Sequence, residues 1–190
     1  MIEVIQAASD LQSICVAHAW RFCFIGGLAV QRWGEPRETV DVDLTLLTGF
    51  GGEEEFIQIL LQEFAGRIPN AAQFARERRV LLLRSPKGVG LDVALAALPF
   101  EELMIQRSSL FEYPSNVSLR TCSAEDLIVL KAFAARGQDW VDVERVIVRQ
   151  AGQIDWVYIR EHLHPLAVLK GAPEILVQLE QRRAEFEQKS

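Results

Sequence analysis

Three aspartates carry the chemistry that this sequence could perform. Asp41 and Asp43 lie in the run from Val40 to Leu46, where Asp41, Asp43 and Thr45 alternate with Val42, Leu44 and Leu46, and Asp92 lies in Gly90-Leu91-Asp92-Val93. Aspartate is depleted in strands because its short polar side chain competes with the backbone and packs badly on a pleated surface. Taken alone, the pair reads equally well as a solvated edge. A third carboxylate alternating in the same way on another strand favours a shared task. Three carboxylates projecting from adjacent strands can hold hard divalent cations, since Mg²⁺ takes oxygen ligands and is usually shared with substrate phosphates. Two such ions about 3.5–4 Å apart stabilise the attacking and leaving oxygens of a phosphoryl transfer.

Gly26-Gly27 supplies the complementary half. An aromatic-rich apolar run, Phe22 to Ile25, stops at the two glycines, and Leu28 to Trp33 then has helical composition. A strand that opens through glycines into a helix lets backbone N–H groups approach a polyphosphate, with the positive end of the helix dipole behind them. A lone Gly-Gly is most often a turn. Here it lies one connection before the aspartate strand.

The other elements follow from periodicity. Ser9 with Gln12 predicts a capped helix through His18, and Phe56, Ile59, Leu60 and Phe64 form the apolar stripe of a helix led by Glu53-Glu54-Glu55. Arg79 to Arg84 and Val89 to Leu95 read as a hairpin closed by Ser85-Pro86-Lys87-Gly88. A short helix from Pro99 to Gln106 and a strand from Val117 to Leu119 come next. The remainder is helical: Ala124 to Ala135 with Ser123 and Asp126 as its start signal, Trp140 to Gln150, Ile154 to His162, and a charged helix from about Glu174. This change in character predicts two parts, a mixed α/β core over residues 1–121 and a helical subdomain over 122–190.

Length and composition bound the function. A chain of 190 residues is of single-domain size, and one this long buries about 70% of its unfolded-state surface without needing disulfides. Apolar residues make up 49% and charged residues 24%, which excludes disorder as a description of the whole. The formal charge is −6, and neither half has a cationic excess, which argues against a dedicated duplex-DNA binder. Cys15, Cys23 and Cys122 have no paired spacing and read as small buried hydrophobes. No apolar run approaches the roughly 20 residues of a membrane span, and the amino terminus lacks a signal-peptide pattern. A soluble cytoplasmic protein is expected. His18, His162 and His164 show no metal-ligand spacing, and Trp33, Trp140 and Trp156 read as packing residues.

Phe24-Ile25-Gly26-Gly27, Asp41-Val42-Asp43-Leu44 and Leu91-Asp92-Val93, in that order, resemble the signature of the DNA polymerase β-like nucleotidyltransferase superfamily. The surrounding residues resemble its abortive-infection, AbiEii-like branch, which includes toxin–antitoxin nucleotidyltransferases. They are Trp33-Gly34, Pro36-Arg37 and Thr39, then Ser123, Glu125-Asp126-Leu127 and Lys131, then Arg136, Asp139 and Asp142. The ordered set is far more specific than any one motif.

The resemblance implies a nucleotidyltransferase fold, a mixed and largely antiparallel twisted sheet flanked by helices with a C-terminal helical subdomain. It implies transfer of a nucleoside monophosphate from an NTP to an acceptor hydroxyl with pyrophosphate release, aided by two Mg²⁺ ions. Asp41, Asp43 and Asp92 would be the metal-binding catalytic set, Asp92 also taking the hydroxyl proton. Gly26 and Gly27 would line the triphosphate, with Arg37, Thr39 and Lys131 as further nucleotide contacts and Asp139 with Asp142 as a second acidic pair. For Arg37 an ion pair with Glu35 or Glu38 is the duller alternative, and for Lys131 a solvated helix position. The cluster Arg76, Arg78, Arg79, Arg84 and Lys87 reads as a solvated rim or an acceptor contact. The acceptor, whether tRNA, protein or small molecule, is open, as is a cognate toxin or antitoxin partner. Two rival readings are a silent nucleotide- or partner-binding module of antitoxin type, and a phosphohydrolase that activates water on the same acidic cluster.

Overall fold

A computed structural model describes residues 1–186. The described residues fall into two compact units. One comprises Met1–Leu28 with Glu38–Cys122, and the other Ala29–Arg37 with the described residues from Ser123 onward.

The first unit is built on a sheet whose strands are β1 (Phe22–Phe24), β2 (Asp41–Leu47), β3 (Ala65–Gly66), β4 (Val80–Arg84), β5 (Gly90–Ala96), β6 (Ser109–Tyr113) and β7 (Val117–Thr121). Their order is β3-β4-β5-β2-β1-β7-β6. β2 pairs in parallel with β5 and β1 with β7, while the other neighbours are antiparallel. The helices of this unit are α1 (Ile2–Ala17), the start of α2 (Gly26–Trp33), α3 (Glu53–Glu63), α4 (Ala71–Arg78) and α5 (Pro99–Arg107). Alternation decides the faces. Val42, Leu44 and Leu46 of β2, Leu91 and Val93 of β5, and Leu81 and Leu83 of β4 are buried in one core with Leu11 and Cys15 of α1, Ile57 and Leu60 of α3 and Ala75 of α4. The residues between them, Asp41, Asp43 and Asp92 included, are left on the opposite face.

The second unit holds α6 (Ala124–Ala134), α7 (Gly137–Arg149), α8 (Trp156–Lys170) and α9 (Glu174–Phe186). α6 packs on α7 and α8, and α9 packs on the same two helices. Buried residues recur at helical spacing: Leu127 and Ile128, Trp140, Val143 and Ile147, Ile159 and Leu163, Ile175 and Leu179. The segment Ala29–Arg37 is tied to α7, because Arg149 donates to the Gly34 carbonyl and Gln150 Nε2 donates to the Trp33 carbonyl at 2.9 Å.

Several elements depart from the expectations. α1 begins at Ile2, well before Ser9. Val4, Ile5, Ala7, Ala8 and Leu11 are all buried, so the apolar stripe runs upstream of Ser9 and outweighs its capping signal. Ser9 instead accepts a bond from Ser13 Oγ through its carbonyl. β6 is unexpected because most of its residues are exposed, leaving little alternation to read, and β3 and α4 are unexpected because they are short. α8 runs past His162 to Lys170 with Pro165 inside it, because Leu163 and Ala167 continue the buried stripe. All three cysteines are buried and none forms a disulfide, and burial pushes the Cys15 thiol up to about 12.

Candidate active site

Register brings the three aspartates together. In the parallel pair of β2 and β5, Asp43 stands directly opposite Asp92, and Asp41 stands opposite Gly90. Opposed residues of paired strands share a face, and so do residues two apart, so all three carboxylates lie on one side of the sheet. Burial raises the pKa of Asp92, the nearby Asp41 adds to the rise, and Arg67 works against it.

Two glycines make room for these carboxylates. The β1–β2 ladder continues through Ile25 N–H to the Asp43 carbonyl at 3.0 Å, and α2 then starts at Gly26 with φ +56°. A Cβ on Gly26 would lie 1.9 Å from Asp43 Oδ2, and one on Gly90 would lie 2.4 Å from Asp41 Oδ1. A Cβ on Gly27 would lie 2.3 Å from Thr39 Oγ1, whose hydroxyl donates to the Asp41 carbonyl at 3.2 Å. The diglycine therefore lets the first turn of α2 lie directly against the Asp43 strand. Gly26→Ala would combine a left-handed backbone with this overlap. We expect it to cost about 1–3 kcal/mol of stability and to displace Asp43, measurable as a lower urea midpoint together with lost transfer activity.

Arg67 was not legible as a site residue. Its backbone N–H donates to the Leu82 carbonyl at 2.9 Å, and Leu82 is paired with Asp92, which faces Asp43. Arg67 thus stands at the end of a row that crosses the sheet through the carboxylates. Its Nη2 is 2.6 Å from Asp92 Oδ1, and its Nη1 is 4.0 Å from Asp41 Oδ1. That short contact is poorly directed for a hydrogen bond, so Asp92 Oδ1 is a buried oxygen held chiefly by the charge of Arg67. Among the described residues, no three acidic, histidine or cysteine side chains converge closely enough to ligate one ion as they stand, and the guanidinium bridges Asp41 and Asp92 instead. The signal in the sequence was faint: one arginine between Gly66 and Ile68-Pro69.

Lys131, Arg37, Asp139 and Asp142 belong to the second unit, where they form one ion-pair network. Lys131 Nζ is 2.9 Å from both Asp139 Oδ1 and Asp142 Oδ2. Arg37 grips Asp142 with its fork, Nε to Oδ1 at 2.8 Å and Nη2 to Oδ2 at 2.9 Å, and Arg136 Nε reaches Asp139 Oδ2 at 2.6 Å. Burial pushes both carboxyls up, but the hydrogen bonds from Arg37 and Lys131 outweigh it and hold Asp142 at about 2. Those from Arg136 and Lys131 likewise bring Asp139 below its ordinary value. Arg37 is thus engaged in an ion pair with Asp142, and Lys131 is paired with both carboxylates and largely buried rather than at a solvated helix position. Within the basic cluster, Arg76 pairs with Glu54, Arg79 donates to the Leu95 and Gly49 carbonyls, and Arg84 donates to the Gly88 carbonyl. These arginines are engaged locally.

The model of the AbiEii family, described as nucleotidyl transferase AbiEii toxins of type IV toxin–antitoxin systems, matches residues 10–188. The chain belongs to this family. Among solved structures, an antigenic nucleotidyltransferase-like protein from Paracoccidioides brasiliensis is similar at a TM-score of 0.55 and 16% identity, over 95% of this chain and 93% of the other. The antibiotic-resistance factor ANT(2'')-Ia, solved with adenylyl-2''-tobramycin, aligns over 97% of this chain and 96% of its own at 19% identity and a TM-score of 0.44. No curated protein matches the chain. The AbiEii assignment and the first of these folds agree with the expected α/β nucleotidyltransferase architecture, and the chain is a nucleotidyltransferase by family. Among the described residues of this AbiEii-family chain, no helix is long and apolar enough to cross a membrane.

Proposed function

We propose that the chain transfers a nucleoside monophosphate from an NTP to an acceptor hydroxyl, with Asp41, Asp43 and Asp92 as the acidic set that works on a divalent metal. The observation that carries this reading is the register that faces Asp43 with Asp92 and leaves Asp41 on the same side of the sheet. The residues suit such a cation: all three are hard oxygen donors, and Asp92 Oδ1 is a buried oxygen without a directed hydrogen bond. A divalent cation bound there supplies neutralisation of the charge that develops on the phosphoryl and pyrophosphate oxygens.

The rest is assigned to the chain itself. Gly26 and Gly27 permit the triphosphate to approach the first turn of α2, whose N–H groups have no intrahelical acceptors. The acceptor oxygen bonds to the α-phosphorus, the bond from that phosphorus to the bridging oxygen breaks, and pyrophosphate leaves. Asp92 accepts the hydroxyl proton. Thr39 holds the backbone of the acidic strand through the Asp41 carbonyl. Type IV toxin–antitoxin membership of the family supports a toxin role for the chain, with a cognate antitoxin as its partner.

Calorimetry with an NTP analogue, with and without Mg²⁺, separates this reading from a silent partner-binding module. Metal-dependent nucleotide binding that Asp43→Asn removes is the expected result. Heats that ignore both metal and Asp43 would point to the silent module.

A further inference from the structure

We propose that Arg67 is a tethered stand-in for the metal: its guanidinium neutralises Asp41 and Asp92 in the metal-free protein, and a divalent cation must displace it before the carboxylates load. The inference rests on the metal reading given above and adds a residue that sets the metal concentration at which the site fills.

Four features of the first unit point to this role. Arg67 spans two of the three carboxylates that would ligate the cation, at 2.6 Å from Asp92 and 4.0 Å from Asp41. Its hold on Asp92 Oδ1 is chiefly Coulombic, the contact being poorly directed for a hydrogen bond, so a small divalent cation with more charge can replace it. Room for the guanidinium comes from Gly90, where a Cβ would lie 2.5 Å from Arg67 Nη1 as well as 2.4 Å from Asp41 Oδ1. Finally, the Arg67 main chain is pinned by its bond to the Leu82 carbonyl while its side chain is 24% exposed, so the side chain can leave toward solvent without moving the strand.

The energetic consequence is a competition. A metal that binds only the state with Arg67 withdrawn has its apparent affinity lowered by the fraction of molecules in that state. Removing the guanidinium removes that handicap and also leaves the carboxylates repelling one another, which favours any cation further. The arginine would otherwise read as a stabilising surface pair, and such a pair makes no prediction about metal affinity.

Mn²⁺ binding without nucleotide, followed by the EPR signal of the free ion, tests the inference on the wild type and on Arg67→Gln, Arg67→Lys, Asp43→Asn and Asp92→Asn. Arg67→Gln should bind Mn²⁺ about three- to tenfold more tightly than wild type, and Arg67→Lys should lie close to wild type. Equal or weaker Mn²⁺ binding by a folded Arg67→Gln protein overturns the role of Arg67. If Asp43→Asn and Asp92→Asn lose Mn²⁺ in that case, the metal reading stands alone. Absence of binding in wild type and every variant overturns both. Should Arg67→Gln fail to fold, phenylglyoxal labelling of the wild type read by mass spectrometry gives the answer. Mg²⁺ should increase modification of Arg67 relative to exposed Arg84, and unchanged labelling at a concentration where Mn²⁺ binds would refute displacement.

Discussion

Asp43→Asn should reduce nucleotidyl transfer by about 10³-fold, roughly 4 kcal/mol of transition-state stabilisation, while leaving the unfolding midpoint close to wild type. The asymmetry follows from where the residue lies. Asp43 occupies the face of β2 opposite the core, and the residues that hold the strand are its neighbours Val42 and Leu44, both fully buried. Asparagine keeps the shape that fits beside Gly26 and removes only the charge. Without that charge the face loses an oxygen donor for a divalent cation, and less of the developing phosphoryl charge can be neutralised. Parallel measurements of transfer rate and urea unfolding check both halves. A large fall in stability would mean that Asp43 is chiefly a structural residue.

Asp142→Ala is expected to do the reverse, costing about 3 kcal/mol of stability. The Asp142 side chain is fully buried and is held by Arg37, Lys131 and Gln138. Removing it takes the bidentate acceptor from the Arg37 fork and leaves Lys131 paired with Asp139, which is why the low end of the range for a broken buried pair applies. The pH dependence carries the same signature. The folded value of Asp142, about 2, lies below its ordinary 3.8. A depressed carboxyl contributes stability that is fully present above the unfolded value and is lost as pH falls through the folded one. The wild type should therefore lose this contribution between about pH 4 and pH 2, and the alanine variant should show a flatter decline across that window. Urea unfolding at pH 7 and pH 3 measures the difference.

The site's acidic strands were legible because alternation is a local property. Asp43 and Asp92 sit between buried neighbours and Asp41 precedes one, at period two, and that pattern alone implies which face each side chain takes. The Ser123 cap was legible for the same reason: its hydroxyl accepts from the Asp126 N–H at 3.1 Å, three residues away. Register between β2 and β5 was not legible, since the strands are separated by α3, β3, α4 and β4, and pairing at that distance is decided by packing. Arg67 shows the limit most clearly. It ends a row of paired residues that only the assembled sheet defines, and its partner Asp92 lies in another strand. The same holds for Arg37, whose partner Asp142 is far along the chain, and for the segment Ala29–Arg37, which no shift in composition marks as belonging with the later helices.

Incubating the purified chain with Mg²⁺, cell extract and NTPs labelled at either the α or the γ phosphate tests the central claim most directly. Label from the α position should appear on an acceptor, with release of pyrophosphate and with loss of the signal in Asp43→Asn. Transfer or release of the γ label alone, or α-label transfer that persists undiminished in Asp43→Asn, would contradict the account.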